Sequence, residues 1–203
     1  MVLELIKTYR IKYQYMILSW ILLIIYLGLF VSGKLTIMDQ YIYQVIHTLQ
    51  SDTMTSFMIA VTFLGSTVGI VLICLICLVI HFQKGCLISI HVALMAIVNQ
   101  VIKYLVARPR PTVVHLVKET SYSFPSAHAM TSMAVFGMIA YLLWEKHKVF
   151  SIFMMCFPLM IGVTRIYLGV HFASDVIGGF LFSITSLCTV IPFLKYHKIL
   201  PCS

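Results

Sequence analysis

Six side chains able to hold an anion or move a proton fall at fixed gaps between residues 103 and 175, a stretch covering about a third of the 203-residue chain. Lys103 and Arg110 open it in KYLVARPRP, His128 follows in PSAH, and Arg165, His171 and Asp175 close it in TRIYLGVHFASD. Three fixed cations, two histidines and one carboxylate are thus concentrated in a chain with only six acidic residues. That inventory suits the cutting of a phosphate ester at a histidine. Phosphoryl transfer asks for in-line attack and neutralised equatorial oxygens more than for covalent ingenuity. Lys103, Arg110 and Arg165 supply three positive charges in place of a metal, the arginines as forks and the lysine as a point charge. The Ser126 hydroxyl and the backbone N–H groups of Ala127 and His128, at a helix start, add donors for an anion.

His171 is the expected nucleophile. Asp175 lies four residues later, on the same face if both are helical, or facing it across a helix start. In either case the carboxylate can hold one imidazole N–H and leave the other nitrogen free to attack. A phosphohistidine is the expected intermediate. His128 would protonate the departing alkoxide and then activate the water that resolves the intermediate. Taken alone, R-x5-H-x3-D reads as a juxtamembrane polar cluster, Lys103 as a snorkelling lysine and Arg165 as a helix-end anchor; the three strings together carry the assignment.

The order K-x6-RP, PSAH, R-x5-H-x3-D resembles the three-part signature of the type 2 phosphatidic acid phosphatase superfamily, which includes bacterial lipid phosphatases, glucose-6-phosphatase and vanadium haloperoxidases. Two positions depart from the common pattern: Ala127 stands where glycine is usual and Thr164 where serine is usual. The methyl of Ala127 crowds the phosphate loop, whereas Thr164 keeps a hydroxyl. The resemblance implies a membrane phosphatase acting on a lipid phosphate such as phosphatidylglycerophosphate, phosphatidic acid or undecaprenyl diphosphate, with no cofactor. The rival readings are a phosphotransferase passing the phosphoryl group to another lipid, a non-catalytic phospholipid carrier, and a soluble haloperoxidase.

The elements that must position these residues are apolar. Hydrophobic residues make up 61% of the chain and charged residues 10%, with a mean hydropathy of +1.02, too little polar surface to coat a water-soluble globule. The net charge of +8 sits in short clusters between apolar runs, which favours anionic headgroups over nucleic acid. Apolar runs at 15–31, 57–80, 86–106, 127–144, 149–168 and 175–193 approach the ~20 residues a bilayer requires. They lack alternation, so the expected fold is all-α: one domain over 1–203, six transmembrane helices in one bundle. The first run, behind Lys7, Arg10 and Lys12, is longer than a signal-peptide core and is read as an uncleaved helix.

Between the first two runs, 36–50 is too polar to cross, yet Met38, Ile42, Val45 and Leu49 recur at helical spacing. Thr36 and Asp39 form a capping-box pattern in front of an expected interfacial helix. Orientation follows from the basic loops: with a cytoplasmic N-terminus, Lys7, Arg10, Lys12, Lys84, Lys146, Lys148, Lys195 and Lys198 lie inside, eight of fourteen basic residues. Three of the other six belong to the motifs. The expected arrangement is a multi-pass cell-membrane protein with both termini inside and the three motifs meeting at the outer face.

Arg108 and Lys118 are read as greeting an anionic substrate or as solvated charges, and Glu119 as contacting a headgroup amine or positioning Lys118. Cys74 and Cys77 lie in an apolar run without a second pair, so free thiols are expected rather than a metal site. His91, Asn99 and Gln100 are expected to hydrogen-bond between helices.

Overall fold

The computed structural model describes residues 2–197, with side chains from 13 onward. Lys7, Arg10, Lys12 and Lys198, on which the orientation argument draws, lie outside the described side chains. Among the described residues eight helices follow one another: α1 (Val2–Val31), α2 (Thr36–His47), α3 (Asp52–Phe63), α4 (Thr67–Ile80), α5 (Phe82–Val106), α6 (Ala127–Leu143), α7 (Lys148–Tyr167) and α8 (Ala173–Tyr196).

Among the described residues four helices are long and apolar enough to cross a membrane: 13–31 within α1, and α5, α7 and α8. The predicted second run departs from a single span. It is two helices, α3 and α4, bent by 48° at residues 64–66, and together they make a fifth candidate span. The physical cause of the break is local. The Ser66 hydroxyl caps α4 by accepting from the Gly69 N–H at 3.1 Å, and Gly65 precedes it. The fourth predicted run also differs, since α6 has only 17 residues. It is apolar all round and packs against α5, α7 and α8, with Met130, Ala134, Val135 and Met138 wholly buried. A helix buried on every face is expected to be hydrophobic on every face. Its hydropathy therefore reports its place at the centre of the bundle as much as contact with lipid. The lipid-facing apolar surface belongs to the outer helices, where Ile24, Val79, Ile97 and Ile152 are each more than half exposed.

Small residues let these helices approach closely, as membrane helices require. A Cβ at Gly137 would stand 2.7 Å from a Leu187 methyl, and one at Gly179 would stand 2.8 Å from the Ser126 carbonyl. His91 bonds Ser186 across α5 and α8 at 3.0 Å, as expected of it.

α2 is a helix, but the capping box is not formed: its N-cap is Leu35, without a side-chain cap. Asp39 is turned into the protein and is 2% exposed. The packed face is Met38, Ile42, Tyr43 and Ile46, set against Ala129, Ile166, Ala173 and Val176, while Val45 and Leu49 face outward. The helix has rolled toward Asp39, whose charge finds partners described below.

Candidate active site

α5 delivers Lys103 one turn before its end. Its C-cap, Ala107, adopts φ 47°, a left-handed conformation usually left to glycine. There the chain turns into Arg108-Pro109-Arg110-Pro111, where proline cannot continue a helix. The loop 107–126 then crosses the ends of α7 and α8. Leu116 N–H bonds the Leu168 carbonyl at 3.0 Å, and Ser123 N–H bonds the Arg108 carbonyl at 2.9 Å. α7 ends at Gly169 with φ 73°, and the N–H groups of Val170 and His171 fold back onto the Arg165 carbonyl at 3.3 and 3.2 Å. That turn carries His171 to the mouth of α8.

His171 precedes α8 and Asp175 lies in its first turn, so the pair meets across a helix start. Nδ1 of His171 is 3.5 Å from Asp175 Oδ2 and 3.4 Å from Ser123 Oγ. Nε2 faces the other way, 3.3 Å from Arg110 Nη1. Asp175 is wholly buried and accepts from Ser123 Oγ at 2.5 Å, the Phe172 N–H at 2.9 Å and Arg108 at 2.6 Å. Burial lowers the His171 imidazole from its ordinary 6.5 to about 4, against the opposing pull of Asp175. A neutral imidazole with one nitrogen oriented by a carboxylate can act as a nucleophile.

Arg110 is held by two carbonyls, donating from Nε to Ser121 at 2.7 Å and from Nη1 to Val170 at 2.6 Å. Burial draws its guanidinium below the ordinary value, and Glu119 pulls it back up. Arg165 is 1% exposed and donates to Thr62 Oγ1 of α3 at 2.9 Å and to Glu119. Lys103 is 2% exposed and donates to the Tyr122 carbonyl, so it does not snorkel. Lys103, Arg110, His128 and His171 line one cavity of about 500 Å³, together with Ala127, Glu119 and Ser121. Its wall continues along α4 through Ile70, Val71 and Leu75 and along α5 from Lys103 back to Ser89. Fourteen residues of helix rise make that α5 wall about 20 Å long.

Ser126 stands apart from the expectation. Its hydroxyl caps α6, accepting from the Ala129 N–H at 3.5 Å, and its N–H bonds the Asp175 carbonyl at 3.0 Å, so Ser126 joins α6 to α8 rather than lining the cavity. The Thr164 hydroxyl bonds the Ile161 carbonyl of its own helix at 2.6 Å and is wholly buried. Asn99 reaches the Pro125 carbonyl at 3.1 Å, and Gln100 lines the cavity. Cys74 and Cys77 are free and half-buried. Among the described residues no group of three His, Cys, Asp or Glu is gathered to hold a metal.

Two carboxylates take partners other than the expected ones. Asp39 accepts from the Ser174 N–H at 2.7 Å, the Ser174 hydroxyl at 2.6 Å and Arg108 at 2.9 Å. Arg108 therefore bridges Asp39 and Asp175, and its guanidinium also lies over the rings of Phe30 and Phe172, at 5.0 and 4.0 Å. Arg108 is a structural cation here, unlike the solvated or substrate-greeting charge expected. Glu119 joins Arg110 and Arg165 instead of serving Lys118. Neither carboxylate carries a local signal, since their partners lie across the fold.

The chain is similar in sequence and fold to known proteins. Phosphatidylglycerophosphatase B of Bacillus subtilis is 42% identical over 91 residues, 41% of this chain and 45% of that protein, so the chain spans under half of that relative's length. Undecaprenyl-diphosphatase of Sulfolobus acidocaldarius is 29% identical over 184 residues, 84% of this chain and 86% of that protein. The crystal structure of a transmembrane PAP2 type phosphatidylglycerolphosphate phosphatase from Bacillus subtilis superposes with a TM-score of 0.79 at 26% identity, covering 93% of this chain and 98% of that one. The family model described as the PAP2 superfamily matches residues 84–199, more than half of the chain, from near the start of α5 through α8. This all-helical membrane protein belongs to the PAP2 superfamily.

Proposed function

We propose that the protein is a membrane lipid phosphatase that removes a terminal phosphate from a lipid phosphate or prenyl diphosphate through a phosphohistidine on His171. In this reading Lys103, Arg110 and Arg165 neutralise the phosphoryl oxygens, and the backbone N–H groups at the start of α6 assist them. His171 Nε2 attacks phosphorus while Asp175 holds the Nδ1 side and stabilises the developing positive charge. His128 gives a proton to the leaving oxygen; it then takes one from the water that attacks the phosphohistidine, releasing inorganic phosphate and restoring the imidazole.

The observation that carries the proposal is the cavity, in which cations and both histidines share a wall with apolar side chains of α4 and α5. A soluble phosphate ester has no use for that apolar length. A tail laid along it gains about 0.8 kcal/mol per buried methylene. The tail enters sideways between helices from the bilayer. α6 and the bent α3–α4 pair count as spans in this account, giving six, with both termini cytoplasmic and the cavity mouth on the outer side of the cell membrane.

The test is a phosphate-release panel in detergent and in vesicles, with a chelator present, across lipid monophosphates, prenyl diphosphates and sugar phosphates. The proposal expects release from lipid substrates, chelator-insensitive and with far lower KM than for sugar phosphates. Thin-layer analysis of the lipid products separates hydrolysis from transfer to another lipid. No release from any lipid phosphate would overturn the reading.

A further inference from the structure

We propose that Glu119 is an internal competing anion of the phosphate pocket: its carboxylate bridges Arg110 and Arg165 while the pocket is empty and must be displaced by any headgroup that binds. The inference rests on the reading of Lys103, Arg110 and Arg165 as a phosphate clamp.

One oxygen of Glu119 meets Arg110 Nη2 at 3.3 Å and the other meets Arg165 Nη2. Two guanidiniums bridged by one carboxylate are disposed as they would be for two oxygens of a phosphate. The bridge is not what holds the arginines. Arg110 keeps its bonds to the Ser121 and Val170 carbonyls, and Arg165 keeps Thr62. Arg165 also carries a buried Nε that finds no partner among the described residues. Glu119 lines the cavity and Arg165 does not, so a phosphate that takes the place of the Glu119 carboxylate takes over its contact with Arg165 as well. Glu119 itself is free to leave. It sits in the loop 107–126 rather than in a helix, and its side chain is 23% exposed against 2% for Arg165.

A pocket held shut by its own anion binds every ligand more weakly by the fraction of time it stands open, so a pocket open a tenth of the time loses about tenfold in affinity. The factor is the same for all anions, and its consequence is a threshold. Singly charged phosphodiester headgroups, which fill an anionic bilayer, fall below occupancy, while dianionic monoesters remain above it. Glu119 thus keeps bulk lipid out of the pocket without discriminating by shape.

Titration calorimetry of the detergent-solubilised protein with inorganic phosphate reads this directly, without requiring turnover. Glu119→Gln removes the charge, and Glu119→Asp keeps the charge on a shorter arm that cannot span both arginines. Phosphate should bind about tenfold tighter to the Gln variant and to an intermediate degree to the Asp variant. Short-chain phosphatidylglycerol, too weak to register on the wild type, should become a measurable ligand of the Gln variant. Unchanged or weaker phosphate binding in Glu119→Gln would show that the carboxylate positions the arginines and would overturn the proposal. Arg165→Ala provides the separate control: if it binds phosphate as well as the wild type, the clamp reading itself fails.

Discussion

Removing the carboxylate of Asp39 should slow turnover although Asp39 does not line the catalytic cavity. Asp39→Ala leaves three donors without an acceptor: the N–H and hydroxyl of Ser174 and Nη2 of Arg108, now bonded at 2.7, 2.6 and 2.9 Å. A buried donor without a partner costs about 1–3 kcal/mol, and breaking a buried ion pair about 3–5 kcal/mol. Arg108 is 19% exposed and keeps Asp175, so it can recover some water and some charge balance. The stability loss should therefore lie near the lower end, about 3 kcal/mol. Ser174 adjoins Asp175, and a displacement of about 1 Å in a catalytic group can cost about 100-fold. Phosphate release should fall about 10- to 100-fold in kcat, while inorganic phosphate binding stays near the wild-type value because Lys103, Arg110 and Arg165 are untouched. Asp39→Asn, which keeps an acceptor but loses the charge, should fall between. Wild-type kcat and an unchanged melting temperature in Asp39→Ala would refute the argument that this buried network holds Asp175.

Gly65→Ala should impair catalysis through His128, since the added Cβ would stand 2.5 Å from Ile161 Cγ2 and 3.2 Å from His128 Cδ2; an unchanged kcat would show that the bend between α3 and α4 does not support that ring. The His171 imidazole, lowered by burial from 6.5 to about 4, should stay neutral down to about pH 5 in histidine-labelled NMR spectra. Because the unfolded chain takes up that proton near 6.5 and the folded chain only near 4, its contribution to stability is complete above pH 6.5 and is lost as the pH falls toward 4. The amount is about 3 kcal/mol, and a His171 titration near 6.5 would remove it. A cysteine placed at Thr120 should react with an impermeant thiol reagent in intact cells while one at Lys146 should not, and the reverse pattern would invert the proposed orientation.

The sequence leads us to expect the three motifs to meet, and the structure does bring Lys103, Arg110, His128 and His171 to one cavity with Asp175 beside His171, because their gaps are set by two helix ends and two helix starts, which local rules describe well. The long apolar helices were legible because a long apolar run marks a segment that must lie in lipid or inside protein. Hydropathy could not show the bend at Gly65 and Ser66, because residues on both sides of it remain apolar. Ser66 ahead of a helical run was a cap signal that could have revealed it. Nor could hydropathy separate α6, apolar because protein surrounds it, from a helix apolar because lipid does. Thr36 at the right distance suggests a local cap for Asp39, but burial beside Ser174 and Arg108 offers it three donors in place of one. For Glu119 the sequence offers a headgroup amine or its neighbour Lys118, whereas the fold brings it to Arg165, 46 residues away. Ser126, read as a donor to phosphate, is wholly buried and outside the cavity lining, with its oxygen accepting from the Ala129 N–H.

The covalent intermediate is the central claim, and acid- and alkali-quench trapping tests it most directly. Protein mixed with radiolabelled lipid phosphate and quenched within a turnover should carry label that is stable to alkali and labile to acid, as a phosphohistidine is. The label should persist longer in His128→Ala, which lacks the group that activates water, and should be absent in His171→Ala. Label retained in His171→Ala, or turnover at the wild-type rate in that variant, would contradict the account.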